Sequence, residues 1–520
     1  MDLLSNRRRD LEGTLPIGRP VLQRLEKDQC EITHIRQLDS AAGWFVRIKP
    51  PDSIRDAFGL GPEVLLLLVN GEVQARDLTQ ARDEVARSGL RLDGNLLLVA
   101  DIGHQRGLRP LQLRLSQIGG NTQRVAITPS TDGAWPSLLE ALKSGATEFD
   151  AYQDLDPVRG AQVVGRGDEI SRHRTSLARG DAVALLGLRK MGKTSVMRAA
   201  TDWFDPASGM RERGQDAPES GTRVALVIDA GTVLDKTADG VADEFLAALR
   251  RRMRAASEEP QTTGRGGLHE LKSQIELLID ASRPVAFVID EFDLLFESET
   301  GQPAPVGISR LFRLIRGWSQ SHQGMVSLLL VGRDPTLLSR PEMDGVTSPL
   351  LAWCNPEWLG PLNKEQGTEL IRKLGRRVGL VVGPRTAETS LFWTGGHPLL
   401  QRQFGSALRE AVRRSTQSWA VPTDDWDSQA LDIFRQREVV LDVCRETQAL
   451  LQSRYPASWE LLSLLASGVA WTEACSSVGG VDSEAARTIE RFGLAGPERR
   501  LPEAWAMYVR DLASGPRQPR

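Results

Sequence analysis

Cysteine, lysine and long apolar runs are scarce in this sequence. Its four cysteines in 520 residues, Cys30, Cys354, Cys444 and Cys475, stand far apart with no C-x-x-C pair. They fit neither a zinc site nor a disulfide framework, and a reducing cytoplasm is the expected compartment. No apolar run approaches the roughly 18 residues a membrane helix needs, so no membrane partner is expected. The opening MDLLSNRRRD has no apolar segment behind its arginines, and no secretory leader is expected there. Neither sign of charge prevails: 65 Lys and Arg against 68 Asp and Glu leave −3, too little for a global basic field that recruits nucleic acid. Lysine is rare in its own right, with nine among the 65 basic residues. What remains, 40% hydrophobic and 26% charged, is ordinary for folded protein, and the length gives room for three or four domains.

No internal repeat or long low-complexity segment is visible. The first forty residues read as polar helix and loop. From Trp44 the texture alternates: GWFVRIK and EVLLLLV as strands, LTQARDEVARSG (78–89) as helix, then NLLLVADI, QRVAITP and WPSLLEALKSG (135–145). Continuous apolar strands between helices predict a small parallel-sheet α/β domain over residues 1–150. Asp101 and His104 have no partners in sequence that complete a catalytic or metal set, so sensing or docking of a partner is the role expected of this domain. A second alternation runs over 160–355, with strands VALLGL (183–188), RVALVIDA (223–230), VAFVIDEF (285–292) and VSLLLVGR (326–333), interrupted by polar glycine-rich segments at 207–222 and 257–267. Over 356–450 the strand signal gives way to helical spacing. Residues 455–515 hold three short helical stretches and a turn-rich hairpin.

Residues 187–194 read GLRKMGKT, the pattern G-x-x-x-x-G-K-[ST], between an apolar strand and the helix-compatible TSVMRAATDWF. Gly187 and Gly192 permit the tight turn that aims consecutive N–H groups at phosphate oxygens, with the helix dipole behind them. Lys193 supplies a charge for the β- and γ-phosphates, and the Thr194 hydroxyl is a ligand for Mg²⁺. Two of the nine lysines lie in this loop. VAFVIDEFDLL (285–295) supplies the second element: Asp290 is placed to reach Mg²⁺ and Glu291 to polarise an attacking water.

With these pieces in hand, the chain resembles the P-loop ATPases of the AAA-like and signal-transduction (STAND) group, in its prokaryotic branch with GxRxxGKTS loops. The resemblance covers about 160–415. It implies an α/β fold: a P-loop NTPase parallel-sheet core with a helical lid, a winged helix and a small N-terminal α/β domain. It adds Arg189 and Ser195 to the phosphate loop. VVGRGDE (163–169) is similar to that group's hhGRxxE segment, which implies that Gly165 and Arg166 lie beside the adenine. Arg333, closing SLLLVGR, matches the sensor arginine facing the γ-phosphate. WLGPLNKEQGTELI (358–371) is similar to the start of the lid, and TGGHPLLQRQF (394–404) to its GxP motif, which implies that Pro398 contacts the base.

The implied activity is slow Mg-dependent ATP hydrolysis, with Glu291, Lys193 and Arg333 as its catalytic residues. It would drive a molecular switch that changes conformation, self-assembles or engages a protein partner in bacterial signalling or antiviral defence. A DNA-associated ATPase of the origin-recognition or transposition-helper type is the alternative. Arg310, Arg313 and Arg316 lie at three-residue spacing on one helix, where a solvated basic face is expected rather than an arginine finger. The segments at 458–468, 470–480 and 482–494 resemble a winged helix, but 482–494 is net acidic, which disfavours DNA reading. His397 is the last histidine in the chain, so the diphosphate-holding histidine of many switch-type relatives is missing from this domain.

Overall fold

Two apolar runs, Glu63–Val69 and Val326–Gly332, are buried along their whole length, as befits strands covered on both faces. Each is central to a five-stranded sheet. In the computed structural model, the described residues are 3–513 without 16–17, 39–42, 70–72, 89–91, 102–114, 116–122, 130–133, 149, 154–162, 205–222, 256–265, 297–306, 417 and 497–498. His104 and most of the two glycine-rich segments lie outside them. The chain forms two compact units, one of residues 1–165 with 362–441 and one of 166–361 with 442–520.

In the first unit, helices Leu3–Thr14 and Gly18–Lys27 precede a sheet of β1 (Glu31–Gln37), β2 (Gly43–Lys49), β3 (Glu63–Val69), β4 (Leu92–Asp101) and β5 (Gln123–Ile127), in that spatial order. β3, β4 and β5 are parallel as predicted, whereas β1–β2 and β2–β3 are antiparallel. The sheet is therefore mixed. β1 escaped the sequence pattern because EITHIRQ is an edge strand with one buried residue, Ile35.

Four helices of the later segment complete this unit: Lys364–Arg377, Pro384–Thr394, Pro398–Ser415 and Asp427–Arg435. A two-residue ladder pairs Leu380–Val381 with Val421–Pro422, too short to leave a strand signal. The segment is joined to the N-terminal sheet domain by buried chemistry. Arg377 Nη2 meets Asp93 Oδ2 at 2.6 Å, both side chains under 5% exposed, and Asp93 also accepts the Gly61 N–H. Tyr152, fully buried, donates its hydroxyl to the Ile371 carbonyl at 2.7 Å. Phe58 stacks on Trp419 at 4.7 Å between ring centres. Losing one partner of such a buried ion pair costs far more than losing a surface one, because the other charge stays behind.

In the second unit, β6 (Ala182–Leu186), β7 (Val224–Asp229), β8 (Val285–Asp290), β9 (Val326–Gly332) and β10 (Asn355–Trp358) form an all-parallel sheet in the order β10-β6-β9-β8-β7. β10, a fifth strand beyond the four expected, is an edge strand of sequence NPEW, and proline at an edge is allowed where the ladder does not need its N–H. Arg223, at the opposite end of the sheet from the motifs, donates to the carbonyls of Val285, Met325, Ala178 and Gly324 and to the Ser327 hydroxyl. Burial lowers its pKa to about 10. The C-terminal part is winged-helix-like, with helices Pro456–Ala466, Trp471–Ser477, Glu484–Arg491 and Glu503–Ala513. No helix among the described residues is long and apolar enough to cross a membrane.

Candidate functional site

Parallel strands present their carboxyl ends at one edge, where open α/β sheets hold ligands. In the second unit the phosphate loop leaves the end of β6, Asp290 closes β8 and Arg333 follows β9. Gly187 runs so close to the edge strand's continuation that a Cβ there would meet the Leu359 carbonyl oxygen at 2.7 Å. Gly192 sits at φ 92° and ψ 16° as the N-cap of helix Lys193–Thr201, a left-handed conformation that glycine adopts freely. The helix N-terminus therefore opens at the loop, with its first N–H groups available to an anion.

Lys193 folds over this loop and donates to the carbonyls of Gly187 at 3.0 Å and Leu188 at 2.8 Å. Its removal from solvent lowers its pKa to about 8, against the opposing pull of Asp293 and Asp290. A phosphate arriving there favours the charged form and raises that pKa again. Two consequences follow for pH. ATP binding should take up a proton above about pH 8 and none from this group well below it, so affinity should fall as pH rises through about 8. Titration calorimetry in two buffers of different ionisation heat, at about pH 6.5 and about pH 9, measures the uptake directly. Equal proton counts at both values would contradict it.

The Thr194 hydroxyl hydrogen-bonds the Asp290 carboxylate, whose pKa is raised, first by burial and then by its like-charged neighbour Asp229. The two carboxylates are in register at the ends of adjacent strands. A hydroxyl and a carboxylate side by side form a hard oxygen pair of the kind that, completed by phosphate oxygens and water, suits Mg²⁺. Glu291 is exposed and adopts φ 51° and ψ 39°, an uncommon conformation for a residue with a Cβ. Its Oε2 and Asp229 Oδ1 flank Gly231, lying 3.3 and 3.1 Å from where a Cβ on that glycine would be.

Of the remaining sequence candidates, Arg166 is 4% exposed and gives its guanidinium to the protein itself: the Gly360 carbonyl at 2.7 Å, the Met191 carbonyl of the phosphate loop at 3.3 Å, and Glu169 at 3.0 Å. Arg189 is exposed on the loop and pairs with Glu446 of helix Glu438–Arg454. Ser195 is buried in the first turn of helix Lys193–Thr201. Gly165 and Pro398 belong to the first unit. Gly165 turns at φ 72° against Gln366, and Pro398 begins its helix behind the N-cap His397. Arg310 and Arg313 are exposed, while Arg316 donates to the Pro349 carbonyl. Sequence reasoning missed three acids. Asp229 and Asp293 stand beside Asp290 and Glu291, and Asp334 follows Arg333 and bonds Thr336 and Tyr455. The only signal for them was an acidic residue at a strand end or just past it.

No family model matches the sequence, and no curated protein matches it. Solved structures do resemble the chain. A Walker-type ATPase of Pyrococcus abyssi aligns over 69% of this chain and 100% of its own, with 16% identity and a TM-score of 0.48. The ORC2 protein of Aeropyrum pernix, solved in ADPNP–ADP complexes, aligns over 70% and 88% with 15% identity and a TM-score of 0.38. The Aeropyrum pernix ORC1 protein in complex with DNA aligns over 70% and 95% with 16% identity and a TM-score of 0.33. With scores below 0.5 these likenesses do not bear on function. The parallel order β10-β6-β9-β8-β7, with a phosphate loop at the end of β6 and acids at the end of β8, is the P-loop NTPase fold.

Proposed function

We propose that this chain is an ATP-binding and -hydrolysing molecular switch of the STAND-like kind, coupling nucleotide state to conformational change or assembly in bacterial signalling or defence. The observation that carries the reading is the convergence of Lys193, Thr194, Asp290, Glu291 and Arg333 at the carboxyl ends of β6, β8 and β9. In it, the loop N–H groups and Lys193 hold the β- and γ-phosphates, and Arg189 and Ser195 complete the loop. Thr194 and Asp290 hold Mg²⁺, which when bound neutralises phosphate charge. Glu291 accepts a proton from the attacking water, and Arg333 contacts the γ-phosphate. Arg166 buttresses the loop through Met191. Base contacts for Gly165, Arg166 and Pro398 rest on the family resemblance alone.

Coupling to the C-terminal helices is supported by two contacts beside the phosphate machinery. Arg189 pairs with Glu446, and Asp334, next to Arg333, bonds the Tyr455 hydroxyl at 3.3 Å. The N-terminal domain supplies the input, by sensing or by docking a partner. Phosphate release and light scattering in ATP and in ADP test the reading. Absence of turnover would overturn the enzyme, and identical mass and shape in both nucleotides would overturn the switch.

The alternative, a DNA-associated ATPase, requires cations free for phosphates. In helix Glu484–Arg491, Arg487 and Arg491 both pair with Glu484, at 3.2 and 3.0 Å. Duplex DNA should therefore bind no tighter than the roughly 10⁻⁴–10⁻⁶ M of non-specific contacts at physiological salt. A footprint that survives competitor DNA would make the alternative the better reading.

A further inference from the structure

Two residues past Glu291, the chain carries an acid with no role in the scheme above. After the left-handed turn at Glu291, residues Phe292–Leu295 form one turn of 3₁₀ helix. That turn sends Asp293 inward, and it is 3% exposed. Its two oxygens are both taken by consecutive backbone N–H groups: Oδ2 accepts from Arg333 at 2.7 Å and Oδ1 from Asp334 at 2.9 Å. The approach is close enough that a Cβ on Gly332 would meet the Phe292 ring at 2.4 Å and Asp293 Oδ2 at 2.6 Å. Only glycine fits there.

The place matters. β9 pairs with β8 as far as Leu330, and on that side the ladder then stops. The N–H groups of Arg333 and Asp334 lie beyond it, where a strand end would fray or turn to water. A carboxylate satisfying two adjacent N–H groups holds the backbone as firmly as a ladder rung does, and charge-assisted bonds of this kind are the stronger ones. Asp293 is covalently two residues from Glu291, so the same turn fixes the base-bearing segment and the strand end that bears Arg333.

We propose that Asp293 is a positioning residue for phosphate sensing: by clamping the backbone of Arg333 and Asp334 it sets the distance between the Glu291 carboxylate and the Arg333 guanidinium. It touches no substrate and acts through Arg333. A γ-phosphate and an attacking water must be met by both groups at once, and misplacement by about 1 Å is costly in catalysis. The proposal rests on the reading of Arg333 as the γ-phosphate sensor.

A double-mutant cycle on the full chain tests it, with ATP and ADP affinities measured for Asp293→Ala, Arg333→Ala and the pair. Each single change should reduce the preference for ATP over ADP by about 10- to 100-fold, with ADP affinity close to parental. The double variant should lose no more than Arg333→Ala alone. Asp293→Asn preserves size but turns one donor against a backbone N–H. It should show an intermediate loss and carries the cycle if the alanine variant does not fold. Parental ATP/ADP preference in Arg333→Ala would overturn the sensor reading and the proposal together. Loss on Arg333→Ala combined with additive loss in the double variant, or equal weakening of ATP and ADP by the Asp293 changes, would overturn the proposal alone.

Discussion

Glu291→Gln should cut ATP turnover by about 10²–10⁴-fold while leaving ATP affinity close to parental, because the amide cannot take the water's proton as a carboxylate does. The groups proposed to hold nucleotide are untouched: Lys193 over its loop, and Thr194 bonded to Asp290. The side chain is exposed, so the change leaves no buried group unsatisfied and stability should move by less than about 0.5 kcal/mol. With exit from the ATP state blocked, a switch accumulates in that state, which light scattering reads as a lasting change of size in ATP. Parental turnover would show that Glu291 is not the base. Stalled turnover without a change of size would leave an ATPase but remove nucleotide-driven assembly.

Lys193→Ala should weaken ATP by at least about 100-fold, the equivalent of one or two charge-assisted hydrogen bonds to phosphate. From sequence alone the lysine is a solvated loop residue whose loss the fold would not notice. In the structure it is half-buried and bonded to the Gly187 and Leu188 carbonyls. Its loss should therefore cost about 1 kcal/mol of stability, not zero. The depressed pKa points the same way: burial disfavours the ammonium charge, and bound phosphates would favour it. A fluorescent ATP analogue and a thermal melt measure both quantities. Retained ATP affinity would remove the site assignment.

Local patterns made the second unit legible. A P-loop is a contiguous octet whose glycines, lysine and threonine each have a chemical reason, and strands such as VAFVID are too apolar to be anything exposed. β1 and β10 were not legible, because an edge strand with one buried residue or a proline has no apolar run to announce it. Asp293 was not legible for another reason. In sequence it is one of 68 acids, and only the turn at Glu291 and the close approach of Gly332 bring it beneath the end of β9. Likewise Arg377 and Asp93 have no sequence signal for each other, since buried ion pairs are written in tertiary geometry and not in spacing.

That last pair has a consequence for synthesis. Asp93 leaves the ribosome 284 residues ahead of Arg377, an interval of about 15–60 s at ordinary elongation rates. Through that interval the N-terminal sheet can form its strands, but Asp93 has no guanidinium to meet and Tyr152 has no Ile371 carbonyl. The N-terminal third of the chain therefore waits, partly folded, on residues 362–441. Expressing residues 1–165 by themselves should recreate that waiting state, and supplying residues 362–441 beside them should restore the protection of their sheet amides against hydrogen exchange.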